Sequence, residues 1–333
     1  MRQPIIKRFR GGKFVDDYRV VQFDAEDREK WLELRQKDVT ASVVGALFGV
    51  HPFVTYFGLY RRKAGLAVER NLTNGAIERG IELEPIALRR LQAMKPDWTV
   101  DWPKIYFRAP GLRVGATPDA YAVDPTRKGF GIVQIKSVAL PVFREDWRNQ
   151  AGRVEVPPWI QLQAILEAKL TGASWAMVGA LTVNYAIDLE LVEVPIHEGV
   201  WERLKEEVAL FWQRIKDGRT PRPDYMRDAE EIAGIWPQDN GRTIDFSDDQ
   251  RLAGMLERAE ALGGEIRKLK NEQSALLAEV RHKLGPNEVG TLPGWKITAK
   301  SQEAKGYWVP GERTRPLRYR RVKTTTVVDE GDF

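Results

Sequence analysis

The sequence predicts an α/β (α+β) protein: a central mixed β-sheet flanked by helices, then a long helical extension and a small β segment. Three observations carry this. Segments with apolar residues at helical spacing, such as 75–94 with Ile77, Ile81, Ala87 or Leu88, and Leu91, alternate with short runs rich in Ile, Val and Tyr that turn residues bound. Up to Pro221–Pro223 the order is helices, three or four strands, helix, two strands, helix, which suits a mixed sheet covered by helices. Beyond Pro237 the period changes. Leu252, Met255, Ala259, Leu262, Ile266, Leu269, Leu276 and Val280 fall on alternating three- and four-residue steps, with Gln273 as the polar break. That is the seam of a coiled coil, or of a helical hairpin turning at Gly263-Gly264.

Taken in order, residues 1–23 read as a basic arm or peripheral strand; six basic and two acidic side chains fall within 1–22. Residues 24–236 form the main domain. Asp24 is placed to cap a helix over 26–37, and a second short helix over 42–48 ends at Gly49, with Thr40 or Ser42 as its N-cap. Residues 56–64 are helical. In the helix over 75–94, Pro85 lacks an N–H and predicts a kink, with Glu84 directly before it. Strands are expected at 104–108 and 112–115, and then at 119–123 and 131–136, a pair joined by the turn 124–129. A helix over 159–170 has Pro158 in its first turn. Strands at 174–183 and 189–196 and an amphipathic helix at 198–218 complete the domain. The extension divides into a helical stretch, 237–285, a basic aromatic β-like segment, 286–323, and an acidic tail, 324–333, expected to be disordered.

Composition narrows the chemistry. There is no cysteine, which excludes disulfides, thiolate zinc sites and iron–sulfur ligation, and the three histidines are widely scattered. A metal here would be a hard cation on oxygen ligands. No apolar run approaches the roughly 20 residues that span a bilayer, so a cytoplasmic protein without membrane contact is expected. The basic residues collect at the ends; residues 285–323 hold nine basic and three acidic side chains. Basic ends on a near-neutral body suit a polyanion, and aromatics among the arginines suit base stacking.

The hairpin 119–136 draws the eye. Asp119 stands on one strand and Lys136 on the next, and because side chains alternate, Gln134 and Lys136 share a face that Ile135 does not. Such a polar–apolar–polar triplet suits an edge strand with a solvated face, or a metal-dependent site that cuts phosphodiesters. Upstream, Arg35 lies close enough in sequence to meet Ser42 at a helix N-terminus, where a guanidinium, a hydroxyl and free amides would bind phosphate.

These residues resemble the PD-(D/E)xK nuclease superfamily, and within it the YqaJ-type phage recombination exonucleases that include lambda exonuclease. The likeness covers roughly residues 26–220. Arg35 with Thr40-Ala41-Ser42, Gly80-x-x-x-Glu84, Pro118-Asp119, Gln134-Ile135-Lys136 and Gln161-x-Gln163 occur in the family's order. The resemblance implies a restriction-endonuclease-like core and a Mg²⁺ site, with Mn²⁺ as a substitute, held by Asp119, Glu84, the Ile135 carbonyl and Gln134. It implies that Lys136 activates or positions the attacking water, that Gln161 or Gln163 orients the site, and that Arg35 and Ser42 hold a 5′-phosphate. It further implies 5′-to-3′ degradation of double-stranded DNA ends, a single-strand annealing partner, a homo-oligomer such as a trimeric ring, and a phage or prophage origin in a bacterial host. The sequence departs from the pattern at Gln134, where the family carries an acid. An amide oxygen coordinates but brings no charge, which predicts weaker metal binding. Two other readings therefore stay open: a catalytically weak DNA-binding recombination factor, and an endonuclease on the same core.

Overall fold

The computed structural model describes residues 4–6, 12–15, 17–67 and 75–301, the side chains of Ala76 and Ile77 apart. The expectations for Ile77, for 302–323 and for the tail 324–333 lie outside the described residues. The chain divides into two compact units, Met1–Ile235 and Trp236–Phe333.

In the first unit, β1 (Lys13–Val15) and β2 (Tyr18–Asp24) precede α1 (Arg28–Lys37). The cap of α1 is Asp27, whose Oδ1 accepts from the Lys30 amide at 3.1 Å, rather than Asp24, which accepts from the Glu26 amide at the same distance. Next come β3 (Val39–Thr40), a 3₁₀ helix over Ala41–Phe48 where a short helix was expected, α2 (Tyr56–Lys63) and α3 (Gly75–Met94). One helix, α3 runs on through Pro85 and buries Ala87, Leu88 and Leu91. Ile81, expected on that buried stripe, is 66% exposed. Then follow β4 (Thr99–Asp101), β5 (Ile105–Ala109), β6 (Val114–Ala116), β7 (Ala120–Val123), β8 (Gly131–Val138), α4 (Leu140–Asp146), α5 (Pro158–Thr171), β9 (Trp175–Val183), β10 (Ile187–Val194), α6 (Glu198–Lys216) and α7 (Ala229–Ala233).

The strands form two mixed sheets. The central one has the order β10-β9-β8-β7-β4, with β8 parallel to β9 and antiparallel to β7. The edge-strand reading of the triplet therefore falls: β8 is the middle strand. The second sheet, β1-β2-β5-β6-β3, takes in the N-terminal segment at its edge, so of the two readings, arm or peripheral strand, the strand one fits β1 and β2. Alternation along β7 and β8 splits the core. Ala120, Ala122, Val133 and Ile135 join Leu88 and Leu91 of α3 on one side, while Tyr121, Ile132 and Val138 join Ile160, Ile165 and Leu166 of α5 on the other.

The helix α5 packs against both sheets, the 3₁₀ helix and α6. Its sequence explains this: Ile160, Leu162, Ala164, Ile165, Leu166, Ala168 and Leu170 are buried all round, the pattern of an interior helix rather than a surface one. Close approach to the 3₁₀ helix depends on Gly45, where a Cβ would stand 2.8 Å from the Trp159 Cβ.

The second unit holds α8 (Gln250–Leu284), capped by Asp249, and the hairpin β11 (Val289–Leu292) with β12 (Trp295–Thr298). At 35 residues α8 is about 52 Å long. It continues through Gly263-Gly264, so the helical-hairpin alternative is set aside. The seam residues Met255, Leu262, Ile266, Leu269, Leu276 and Val280 are exposed. No helix among the described residues is long and apolar enough to cross a membrane.

Candidate active site

The pairing of β7 with β8 places Asp119, one residue before β7, against the Gln134–Ile135 backbone. Asp119 Oδ2 accepts from the Ile135 amide at 2.8 Å and also from Gln134 Nε2. The same Nε2 lies 3.2 Å from the Ile135 carbonyl oxygen. Gln134 thus turns its amide nitrogen to Asp119 and Ile135, and its Oε1 is buried without a hydrogen-bond partner. Burial, then the nearby Glu84 carboxylate, push the Asp119 pKa up. Glu84 reaches this neighbourhood from α3 and is ion-paired with Lys104.

Lys136 points from β8 toward α5. Its Nζ donates to Gln163 Oε1 at 2.9 Å and lies 5.2 Å from the centroid of the Trp159 ring. Burial pushes the ammonium pKa down, against the pull of Asp119, Glu167 and Glu84. Of the two glutamines expected here, Gln163 reaches the site. Gln161 donates to the Val156 carbonyl at 2.6 Å and ties down the chain before α5.

Arg35 and Ser42 stand together, Arg35 Nη2 donating to Ser42 Oγ at 3.3 Å. The guanidinium lies 4.3 Å from the Trp31 ring centroid, and Trp31 Nε1 donates to Thr117 Oγ1 at 3.2 Å. Behind it, Asp38 is fully buried, accepting from Arg108 Nε at 2.7 Å and Tyr106 Oη at 2.9 Å. Lys63 Nζ donates to the Arg35 carbonyl at 2.6 Å. Ser42 does not cap the 3₁₀ helix; its Oγ sits 3.2 Å from Thr40 Oγ1.

Two residues escaped the sequence reading. His51 Nδ1 accepts from the amides of Phe53 and Val54 at 3.1 and 3.0 Å, so Nε2 carries the proton and donates to the Ser42 carbonyl at 3.0 Å. Burial pulls its pKa down to about 4. Glu167 is fully buried on α5, accepting from Gln163 Nε2 at 2.8 Å. Burial, then Asp119, push its carboxyl pKa well up. A scattered histidine and a glutamate inside an apolar helix gave little signal; the i, i+4 spacing of Gln163 and Glu167 was the one available.

As a cation site the donors are mixed. No group of three or more His, Cys, Asp or Glu suited to a metal occurs among the described residues. Asp119, Glu84 and the Ile135 carbonyl are nevertheless hard oxygen donors, and the upward push of one carboxylate on the other is what a dication relieves. They fit a Mg²⁺-type ion, with Gln134 offering oxygen once its amide is turned over.

Residues 30–174 match the family described as the YqaJ-like viral recombinase domain. Over this segment the chain is similar to that family. Arg35, Ser42, Glu84, Asp119, Gln134, Lys136, Gln161 and Gln163 all fall within the matched segment, as do His51 and Glu167. No curated protein matches the chain. Among solved structures it is similar to the alkaline exonuclease LHK-Exo from Laribacter hongkongensis, at 21% identity over 62% of this chain and 100% of that one, TM-score 0.46. It is also similar to a putative exonuclease from Eubacterium rectale, at 12% identity over 68% and 98%, TM-score 0.41. A phage-related exonuclease from Haemophilus somnus resembles it at 13% identity over 54% and 94%, TM-score 0.40.

Proposed function

We propose that this chain is a Mg²⁺- or Mn²⁺-dependent deoxyribonuclease that degrades linear double-stranded DNA from its ends, 5′ to 3′, in phage-type recombination. One observation carries the reading: Asp119, the Ile135 backbone and Lys136 converge on one strand pair, with Lys136 held by Gln163. Asp119, Glu84 and the Ile135 carbonyl would hold the cation, joined by Gln134. When bound, the cation supplies Lewis acidity and a more acidic water. Lys136 would position the attacking water and offset the charge growing on the phosphorane oxygens. Arg35 and Ser42 take the terminal 5′-phosphate through charge-assisted and hydroxyl hydrogen bonds. The remaining 3′ strand is left single for an annealing partner. The exposed seam of α8 supports self-association into a homo-oligomer, a trimeric ring being the form that the family resemblance implies.

A second reading, a catalytically weak DNA-binding factor, is favoured by one observation: Gln134 places an N–H donor where a carboxylate would face the cation. The test is a time course of linear and closed circular duplex with Mg²⁺ and strand-specific end labels. Loss of label from the 5′ end of linear DNA is expected, with circular DNA intact. Lys136→Ala and Asp119→Ala should each slow it by roughly a hundredfold or more. Equal cutting of circles points to an endonuclease; binding without cutting, in Mg²⁺ or Mn²⁺, points to the second reading.

A further inference from the structure

Glu167 sits where α5 otherwise buries apolar side chains, flanked by Leu166 and Ala168, and has no exposed surface. A carboxyl in that place is costly, and its Oε2 has no hydrogen-bond partner. A leucine or methionine would fill the same volume without that cost, so packing does not explain the residue. The one hydrogen bond of its carboxyl among the described residues does. Gln163 Nε2 donates to Glu167 Oε1 at 2.8 Å, and Gln163 Oε1 accepts from Lys136 Nζ at 2.9 Å.

An amide has two orientations of nearly equal shape, and only its partners choose between them. Lys136 can only donate. Glu167 offers an acceptor oxygen whether or not its carboxyl carries a proton. With the amide reversed, an N–H would face the ammonium in either state, and an ionised Glu167 would meet a second acceptor oxygen. The chain Lys136–Gln163–Glu167 therefore runs one way. We propose that Glu167 is a positioning residue of the nuclease site: acting through the Gln163 amide, it fixes the place of the Lys136 ammonium. This rests on the reading of Lys136 as a catalytic residue given above.

The decisive experiment compares Glu167→Leu, which removes the acceptor, with Glu167→Gln, which keeps an acceptor oxygen and removes the charge. Single-turnover and steady-state rates on linear duplex are measured in the full chain, alone and in a Gln163→Leu background. Glu167→Leu should lower kcat by tenfold or more with KM changed less than twofold, at an unchanged or higher melting temperature. Glu167→Gln should recover activity to within about threefold of wild type. In the Gln163→Leu background, Glu167→Leu should add less than a twofold loss. A second readout needs no activity. The side-chain amide resonances of Gln163, assigned by their loss in Gln163→Leu, should shift in Glu167→Leu and hold in Glu167→Gln.

An active wild type with normal kcat in Glu167→Leu, full additivity with Gln163→Leu, or unmoved Gln163 resonances overturns the proposal. A wild type that cuts no DNA with either metal sinks the nuclease reading and Glu167's part in it, and the resonances still report whether Glu167 holds the amide.

Discussion

The Lys136 ammonium lies 5.2 Å from the centroid of the Trp159 indole, and the same indole is 5.0 Å from the His51 ring. One residue in the first turn of α5 thereby joins the candidate cutting site to the Arg35–Ser42 pair, since His51 holds the Ser42 carbonyl. Gly45 permits this by leaving no Cβ in front of Trp159. In the function proposed above, the end-phosphate pair and the cutting site would share this wall.

Gln134→Glu restores a unit negative charge beside Asp119. Mg²⁺ affinity, measured by calorimetry, should tighten by about tenfold or more. Without metal the added carboxylate is buried against Asp119, so the melting temperature in EDTA should fall and recover on adding Mg²⁺. Unchanged affinity means that the charge at this position does not govern metal binding.

Arg35→Ala and Ser42→Ala should act on end recognition. Wild type is expected to prefer a 5′-phosphorylated duplex over a 5′-hydroxyl one, and each variant should bring the rate ratio down by roughly tenfold toward one. Rates on the two substrates, compared under the same conditions, decide it. A variant that keeps the full preference removes that residue from the phosphate site.

His51 gives a pH signature. It is neutral in the fold, its pKa pulled from 6.5 down to about 4 by burial, with Lys136, Arg62 and Arg227 adding to the pull. Between those values the unfolded chain takes up a proton that the folded chain refuses, so this contribution is complete above pH 6.5 and is lost as pH falls toward 4. His51→Asn should be less stable by about 1 kcal/mol at neutral pH, having lost the bond to the Ser42 carbonyl. That deficit should narrow at acid pH. Urea midpoints at the two pH values check it, and a constant gap contradicts it.

The α8 seam predicts assembly. Leu262→Glu and Ile266→Glu place charge in the middle of an apolar stripe that is exposed in the single chain. Light scattering of the full-length protein should show the wild type as an oligomer. The variants should lose the self-association that the seam supports. Identical masses for wild type and variants would rule out the seam as an interface.

Much of the site was legible from the residues. Strand alternation put Gln134 and Lys136 on one face, and the turn at 124–129 put Asp119 beside them, because neighbours in a hairpin are set by local chemistry. The period of three and four residues marked α8 for the same reason. Local pattern is also where the reading slipped: Ile81 continued a stripe in sequence yet faces out, because α3 turns only the Ala87–Leu91 side to the sheet.

What only the tertiary structure decided concerns contacts that no spacing encodes. The sequence by itself determined the elements that present the candidate residues Asp119, Gln134 and Lys136, and the pairing of their two strands. It did not determine that β8 is central, that Gln163 rather than Gln161 meets Lys136, that Gln134 turns its nitrogen to Asp119, or that His51 and Glu167 stand behind the two halves of the site. Each of these depends on two elements far apart in the chain being packed face to face. There, burial removes water as an alternative partner and leaves a polar group only the partner across the gap.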